Sequence, residues 1–255
     1  MLGSISLDGT STKISGYLKA NGLVSDQAIE RIASGRRINS ASDDPAGLAI
    51  SYKLDAQTRG AEVSIRNAQD GISATQILDA ALVEIQNMTV RIKELSVQKA
   101  SGQFTTSDVA NADAEITQLN DEMARIAAAT RFNTYLVSEL TFETTISGDG
   151  TSTLFQFPEI PTSGGSTVAE AEEALETIAE ARGLAGAYMN RLQHNIANLR
   201  SISTNTQAAL SRIIDADVAA ESARLATGQV LQQSAASMLA QANASQQYVL
   251  ELIRN

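Results

Sequence analysis

The chain has 255 residues with a net charge of −10 and no cysteine, which excludes disulfides and thiolate metal sites and argues against nucleic acid and anionic membrane surfaces as partners. Hydrophobic residues make up 43% but aromatics only 4%, so the apolar content is mostly Ala, Leu, Ile and Val, a composition suited to thin layers of close-packed helices. With only Pro45, Pro158 and Pro161 to interrupt it, nearly all of the chain is free to be helical, and no run of eighteen apolar residues forms a membrane span.

Residues 1 to about 34 carry an apolar stripe of Ile14, Leu18, Leu23, Ile29 and Ile32. Gly3, Gly9, Gly16 and Gly22 each weaken a helix by roughly 1 kcal/mol relative to Ala, so this segment needs a partner to be stable. The run from Ser34 to Ile50 reads as a break between helices. Gly35 suits the positive φ of a helix C-terminus, and Pro45 suits the first turn of the next helix. Asp43 and Asp44 place negative charge at that helix's N-terminal dipole.

From Pro45 to about Ala100 the pattern is helical, with Leu78, Ile85 and Ile92 in one seven-residue series and Ala81, Met88 and Leu95 in a second. Some 55 helical residues extend roughly 80 Å, which predicts a rod. A turn at 101–107, with Thr106 or Ser107 as N-cap, leads to a helix over about 107–129. Its seam pairs Val109, Ile116 and Met123 with Ala112, Leu119 and Ile126. The short connection makes the two helices antiparallel neighbours.

Between about 140 and 165, Thr141–Ile146 and Ser152–Phe157 are rich in strand formers around the turn Ser147–Thr151, which predicts one β-hairpin followed by a loop. Helical pattern resumes near Thr167 and runs to about Asp215, with Ile178, Ala185, Leu192 and Leu199 seven apart. Residues 216–255 form an Ala/Gln/Ser-rich amphipathic segment whose stripe is Leu231, Ala235, Met238, Ala242, Val249 and Leu252. So much of that stripe is alanine that it too needs a partner. The expected fold is therefore mainly α: an elongated antiparallel bundle or coiled-coil rod with one small β-hairpin, its terminal helices paired.

Chemistry is sparse. His194 has no second His or Cys beside it, Asp215 and Asp217 lack the spacing of a calcium loop, and no phosphate-binding glycine loop, nucleophile elbow or HExxH occurs. We expect no catalytic, cofactor or metal site, and no enzyme. The N-terminus lacks the basic-then-apolar order of a secretory signal peptide, so export would use a dedicated route.

The stretch Glu30-Arg31-Ile32-Ala33-Ser34-Gly35-Arg36-Arg37-Ile38-Asn39-Ser40-Ala41-Ser42-Asp43-Asp44-Pro45-Ala46-Gly47-Leu48-Ala49-Ile50 resembles the N-terminal signature of bacterial flagellin. Arg66–Ser73, Lys93–Gln98, Arg131-Phe132-Asn133-Thr134, Ile214–Asp217, Glu221-Ser222-Ala223 and Leu231-Gln232-Gln233 through Asn243 follow in the family's order. The chain resembles a minimal flagellin without large outer domains. Gln246 stands where many members carry proline.

The resemblance implies a subunit that polymerises into the extracellular flagellar filament for swimming. Residues 1–44 and 216–255 would form the inner-tube layer and 45–215 the outer rod, with Gly35, Asp43, Asp44 and Pro45 at the joint between them. It also implies export through the flagellar type III apparatus without a cleaved signal, and encounters with the cap and the hook–filament junction proteins. Toll-like receptor 5 is a host partner of the family, and its contact corresponds to Arg91, Leu95 and Glu115. The alternatives are a minor flagellin-like or hook–filament junction component, or a flagellin-type binding module, for which the 140–166 insert leaves little room.

Overall fold

A computed structural model describes residues 2–137, 141–145 and 152–254, with side chains over 11–137, 155–245 and 247–248. Five helices dominate: α1 (Leu2–Ser34), α2 (Pro45–Ala100), α3 (Thr106–Ala129), α4 (Val168–Ile214) and α5 (Val218–Arg254). Two antiparallel hairpins lie between α3 and α4, β1 (Arg131–Phe132) with β2 (Tyr135–Leu136) and β3 (Thr141–Thr145) with β4 (Ser152–Gln156). The chain divides into two compact units, residues 1–55 with 207–255 and residues 56–206.

In the unit of residues 56–206 the core is the one the heptads describe. Leu78, Ile85 and Ile92 of α2, Ile116 and Met123 of α3, and Ile178, Ala185, Leu192 and Leu199 of α4 are all buried. Seven-residue spacing of apolar side chains keeps one stripe of each helix facing its neighbours, and burying a Leu or Ile side chain contributes roughly 1.5–3 kcal/mol. Polar pairs also bridge α2 and α4. Arg182 of α4 donates to Asp79 (2.9 Å) and Gln86 (2.7 Å) of α2, while Lys93 pairs with Glu172 at 3.1 Å.

Helix starts follow capping chemistry. Thr105, one residue before the expected cap, accepts from the Asp108 N–H while Asp108 accepts from the Thr105 N–H. The same reciprocal box opens α4, where Thr167 accepts from the Glu170 N–H and the Glu170 carboxylate accepts from the N–H groups of Ser166 and Thr167. Both boxes hold Asp108 and Glu170 below their ordinary pKa. For Asp108 the largest cause is the Thr105 hydroxyl, and for Glu170 it is the Ser166 backbone N–H.

The expected hairpin forms with Thr141 opposite Gln156 and Thr145 opposite Ser152. Its expected turn, Ser147–Thr151, and Ile146 lie outside the described residues. Phe157, expected at a strand end, instead leaves the sheet and is buried with Ile160 against the helices. Phe155 of β4 sits edge-on to Tyr188 with centroids 5.3 Å apart, and the Arg191 guanidinium lies 4.8 Å from the Phe155 ring centre.

The sequence carries no strand pattern for the first hairpin, although Arg131–Thr134 lies in a family motif. Asn133 turns it with φ of 58°, a left-handed conformation that asparagine tolerates better than most residues. Two-residue strands carry too few alternating positions to register as a strand pattern.

The loop after β4 is fastened to α3 by one side chain. Asn120 donates to the Gly165 carbonyl at 3.0 Å and accepts from the Gly164 N–H at 2.8 Å and the Ser163 hydroxyl at 3.2 Å. A primary amide carries a donor and an acceptor on one rigid plane, so it can close both sides of an exposed loop backbone.

Candidate functional site

The unit of residues 1–55 and 207–255 holds the joint between α1 and α2, and its geometry starts from Gly35. That residue ends α1 at φ of 67°, a conformation where an L side chain meets its own carbonyl. The chain then runs extended, and Arg36 pairs with Asp215 in an antiparallel bridge to the break between α4 and α5. Ala216 N–H donates to the Gly35 carbonyl at 3.0 Å, and the Arg37 N–H donates to the Ile214 carbonyl. The Arg37 guanidinium adds two bonds to the Ile213 carbonyl, at 2.7 and 3.2 Å. These contacts satisfy last-turn carbonyls of α4 that its own helix leaves open. Two breaks distant in sequence thus complete each other, which no local pattern encodes.

The two aspartates of the joint have different tasks. Asp44 caps α2, accepting from the Gly47 N–H at 2.9 Å, just ahead of Pro45 at the first helical position. Asp43, read from sequence as a second dipole charge, instead ties the turn. It accepts from the N–H groups of Ser40 (3.0 Å) and Asn39 (3.1 Å), from the Ser40 hydroxyl, and from Gln27 of α1. The Ser40 N–H, then the Asn39 N–H, hold its carboxyl below the ordinary aspartate value. Beside the bridge Asp217 caps α5, accepting from Ala219 and Ala220 at 3.0 and 3.1 Å.

Helices α1 and α5 pack on each other along a seam with four-then-three spacing. On α5 the more enclosed positions are Glu221, Leu225, Gly228, Gln232, Ala235, Leu239 and Ala242, and on α1 they include Ile14, Leu18, Ser25, Ala28 and Ile32. The contact is close because it is built from small residues. A Cβ added to Gly228 would lie 2.3 Å from the Ser25 hydroxyl oxygen, so no larger residue fits without a shift. Above it Glu221, only 6% exposed, accepts from Arg31 of α1 at 3.2 Å and from Arg224 at 2.9 Å.

The expected α5 stripe divides across this seam. Ala235 and Ala242 belong to it, but Leu231 (46% exposed) and Met238 (59%) lie one position round the helix and face outward, as does Val230. Val249 and Leu252 have side chains outside the described residues. On α1 the stripe splits likewise: Ile14, Leu18 and Ile32 turn inward, while Leu23 (64%) and Ile29 stay exposed with Tyr17 and Val24. A groove of about 280 Å³ runs along the pair, lined by Asn21, Val24, Ala223, Arg224, Thr227, Gly228 and Leu231. Large apolar side chains thus stay exposed on a helix pair whose seam mixes small residues with Ile and Leu, the kind of surface that marks association sites.

In the other unit, Arg91 donates to Glu115 at 2.9 Å and to Glu94 at 3.3 Å, and the Glu115 bond raises the arginine's pKa further above its ordinary value. Both partners are about half exposed. Leu95 is 4% exposed and packed in the core, so it presents no side-chain surface for a direct contact. Among the described residues no group of His, Cys, Asp and Glu could hold a metal ion, and no helix is long and apolar enough to cross a membrane.

Two helical units with capped turns and an exposed apolar face on one helix pair are the build of a helical structural protein. The family is visible in the sequence relatives. The model of the bacterial flagellin N-terminal helical region matches residues 5–138, and that of the C-terminal helical region matches residues 168–253. A flagellin of Halalkalibacterium halodurans is 38% identical over 248 residues, covering 89% of this chain and 91% of the relative. The flagellin of Listeria monocytogenes is 31% identical over 283 residues, covering 96% and 97%. A flagellar filament 33 kDa core protein of Treponema phagedenis is 34% identical over 260 residues, covering 89% and 91%. The solved structure of Bacillus cereus flagellin aligns at 28% identity over 57% of this chain and 94% of its own, with a TM-score of 0.47. The chain belongs to the bacterial flagellin family. It is a structural subunit of the extracellular flagellar filament, and it assembles with copies of itself.

Proposed function

We propose that residues 1–44 and 216–255 form the inner-tube layer of the filament and residues 45–215 its outer layer. Subunits leave the cell through the flagellar type III apparatus without a cleaved signal, pass the hook–filament junction, and add at the tip beneath the cap. The observation that carries this reading is the open apolar face of α1 and α5, with Leu23, Val24, Val230, Leu231 and Met238 exposed beside the seam. Copies that enclose this face stabilise it by mass action. Seeding purified protein with sheared filaments in moderate salt tests the reading. Wild type is expected to elongate, and a Leu231→Ser, Met238→Ser double variant to elongate at a clearly higher critical concentration with unchanged monomer helicity. Equal critical concentrations would remove these residues from the contact.

Recognition by Toll-like receptor 5 would then rest on Arg91 and Glu115, with Leu95 acting from beneath as the packing residue that holds the α2 surface in place. The half-exposed Arg91–Glu115 pair supports this, because both groups can exchange their mutual bond for partners on a receptor. A receptor activation assay is expected to show a loss for Arg91→Ala; activity equal to wild type would refute it.

A further inference from the structure

The joint also holds a cleft of about 340 Å³ lined by Arg31, Arg37, Ile38, Asp43, Asp44 and Arg224. Its carboxylates are already committed. Asp43 gathers the turn's N–H groups, Asp44 caps α2, and Glu221 behind them takes Arg31 and Arg224. Its cationic donors are committed only in part: Arg37 is taken by the Ile213 carbonyl, while Arg31 and Arg224 each give Glu221 one nitrogen. The Arg31 Nε is buried with no acceptor, and Arg224 uses one nitrogen of its guanidinium while its side chain is 58% exposed. A buried guanidinium N–H seldom goes without an acceptor in a folded protein. The complement is a planar, singly negative acceptor. Asp43 and Asp44 also line the cleft and repel a dianion such as phosphate more strongly than a monoanion, which favours a carboxylate.

We propose that this cleft is a carboxylate-binding site and that the carboxylate comes from a second copy of the chain in the filament. Arg224 lines both the cleft and the apolar groove of the α1–α5 pair, so one neighbouring segment can place an apolar side chain in the groove and an acidic one against the arginines. With 29 acidic residues against 19 basic ones, approaching copies bring an excess of carboxylates that repel unless cationic sockets receive them. The proposal rests on self-assembly, and the test separates the two.

Critical concentrations are measured by seeded elongation for wild type, Arg224→Gln, Arg224→Lys and, as a control on α3, Arg125→Gln, with circular dichroism confirming that each monomer stays helical. Arg224→Gln is expected to raise the critical concentration about tenfold, the loss of one charge-assisted hydrogen bond. Arg224→Lys is expected to recover most of that, and Arg125→Gln to match wild type. If Arg224→Gln matches the control, the cleft holds water only and the proposal falls. If Arg224→Lys is as poor as Arg224→Gln, the stem's packing mattered and not its charge, which also overturns it. A second measurement compares monomer thermal midpoints in sodium formate and sodium chloride at equal ionic strength. Formate stabilising wild type but not Arg224→Gln, with equal critical concentrations, would assign the site to free anions and overturn the second copy as the source. Failure of wild type itself to elongate would overturn the filament reading, and this proposal with it.

Discussion

At the scale of single residues the joint concentrates backbone demands that few side chains meet. Gly35 sits at φ of 67°, where an alanine is strained by about 1–2 kcal/mol. Urea unfolding of Gly35→Ala is therefore expected to show a loss of that size. The Asp43 carboxyl makes the joint sensitive to acid. Its pKa is lowered in the folded chain, so its contribution is complete above the ordinary aspartate value of 3.8 and is lost as pH falls through the lower folded value. Asp108 and Glu170 act in the same direction at the starts of α3 and α4. Monomer thermal midpoints measured from pH 6 downward should fall in the acid range, and Asp43→Asn should reduce part of that dependence. A dependence identical to wild type would show that Asp43 does not contribute.

At the scale of elements, the two units use the same four-then-three spacing with different contents. In residues 56–206 the seam is Leu, Ile and Met, and truncating it leaves cavities; Leu78→Ala or Ile178→Ala is expected to destabilise the monomer by about 2–5 kcal/mol in denaturant unfolding. In the α1–α5 pair Ser25, Ala28, Gly228 and Ala235 stand beside Ile14, Leu18, Leu225 and Leu239, so the backbones come close and those larger side chains are only partly enclosed. The loop after β4 depends on a polar anchor instead. Asn120→Ala removes three loop hydrogen bonds and is expected to lower stability by about 1–3 kcal/mol. Proteolysis within 157–167 should quicken in that variant, and an unchanged cleavage rate there would show that Asn120 is not the fastener.

At the scale of the molecule, the contrast between the seams predicts the order in which the chain comes apart. The terminal helices carry the weaker core and the larger exposed side chains, so limited proteolysis of the monomer is expected to trim both ends first. Incorporation into filaments should protect the same sites, because enclosed copies add the apolar burial that the pair lacks alone. Cleavage of the 56–206 unit before the ends would refute this account.

Much of the architecture was readable from the chain alone. The series through Leu78, Ile116 and Ile178, the Gly35 and Pro45 punctuation, and the Thr141–Gln156 hairpin are local signals, since side-chain spacing and backbone sterics act over a few residues. Other features needed the folded chain. Which face of α5 meets α1 is decided by how closely Ser25 and Gly228 allow the helices to approach, and that turns Leu231 and Met238 outward although hydropathy alone would bury them. The bridge of Arg36 to Asp215 and the Arg31–Glu221–Arg224 cluster join residues up to 190 apart in sequence, so their partners exist only once both helix breaks are brought together. The sequence by itself determined the helices, their turns and the family. Only the tertiary structure decided which apolar residues close the monomer and which stay exposed, because that choice depends on the distance between backbones.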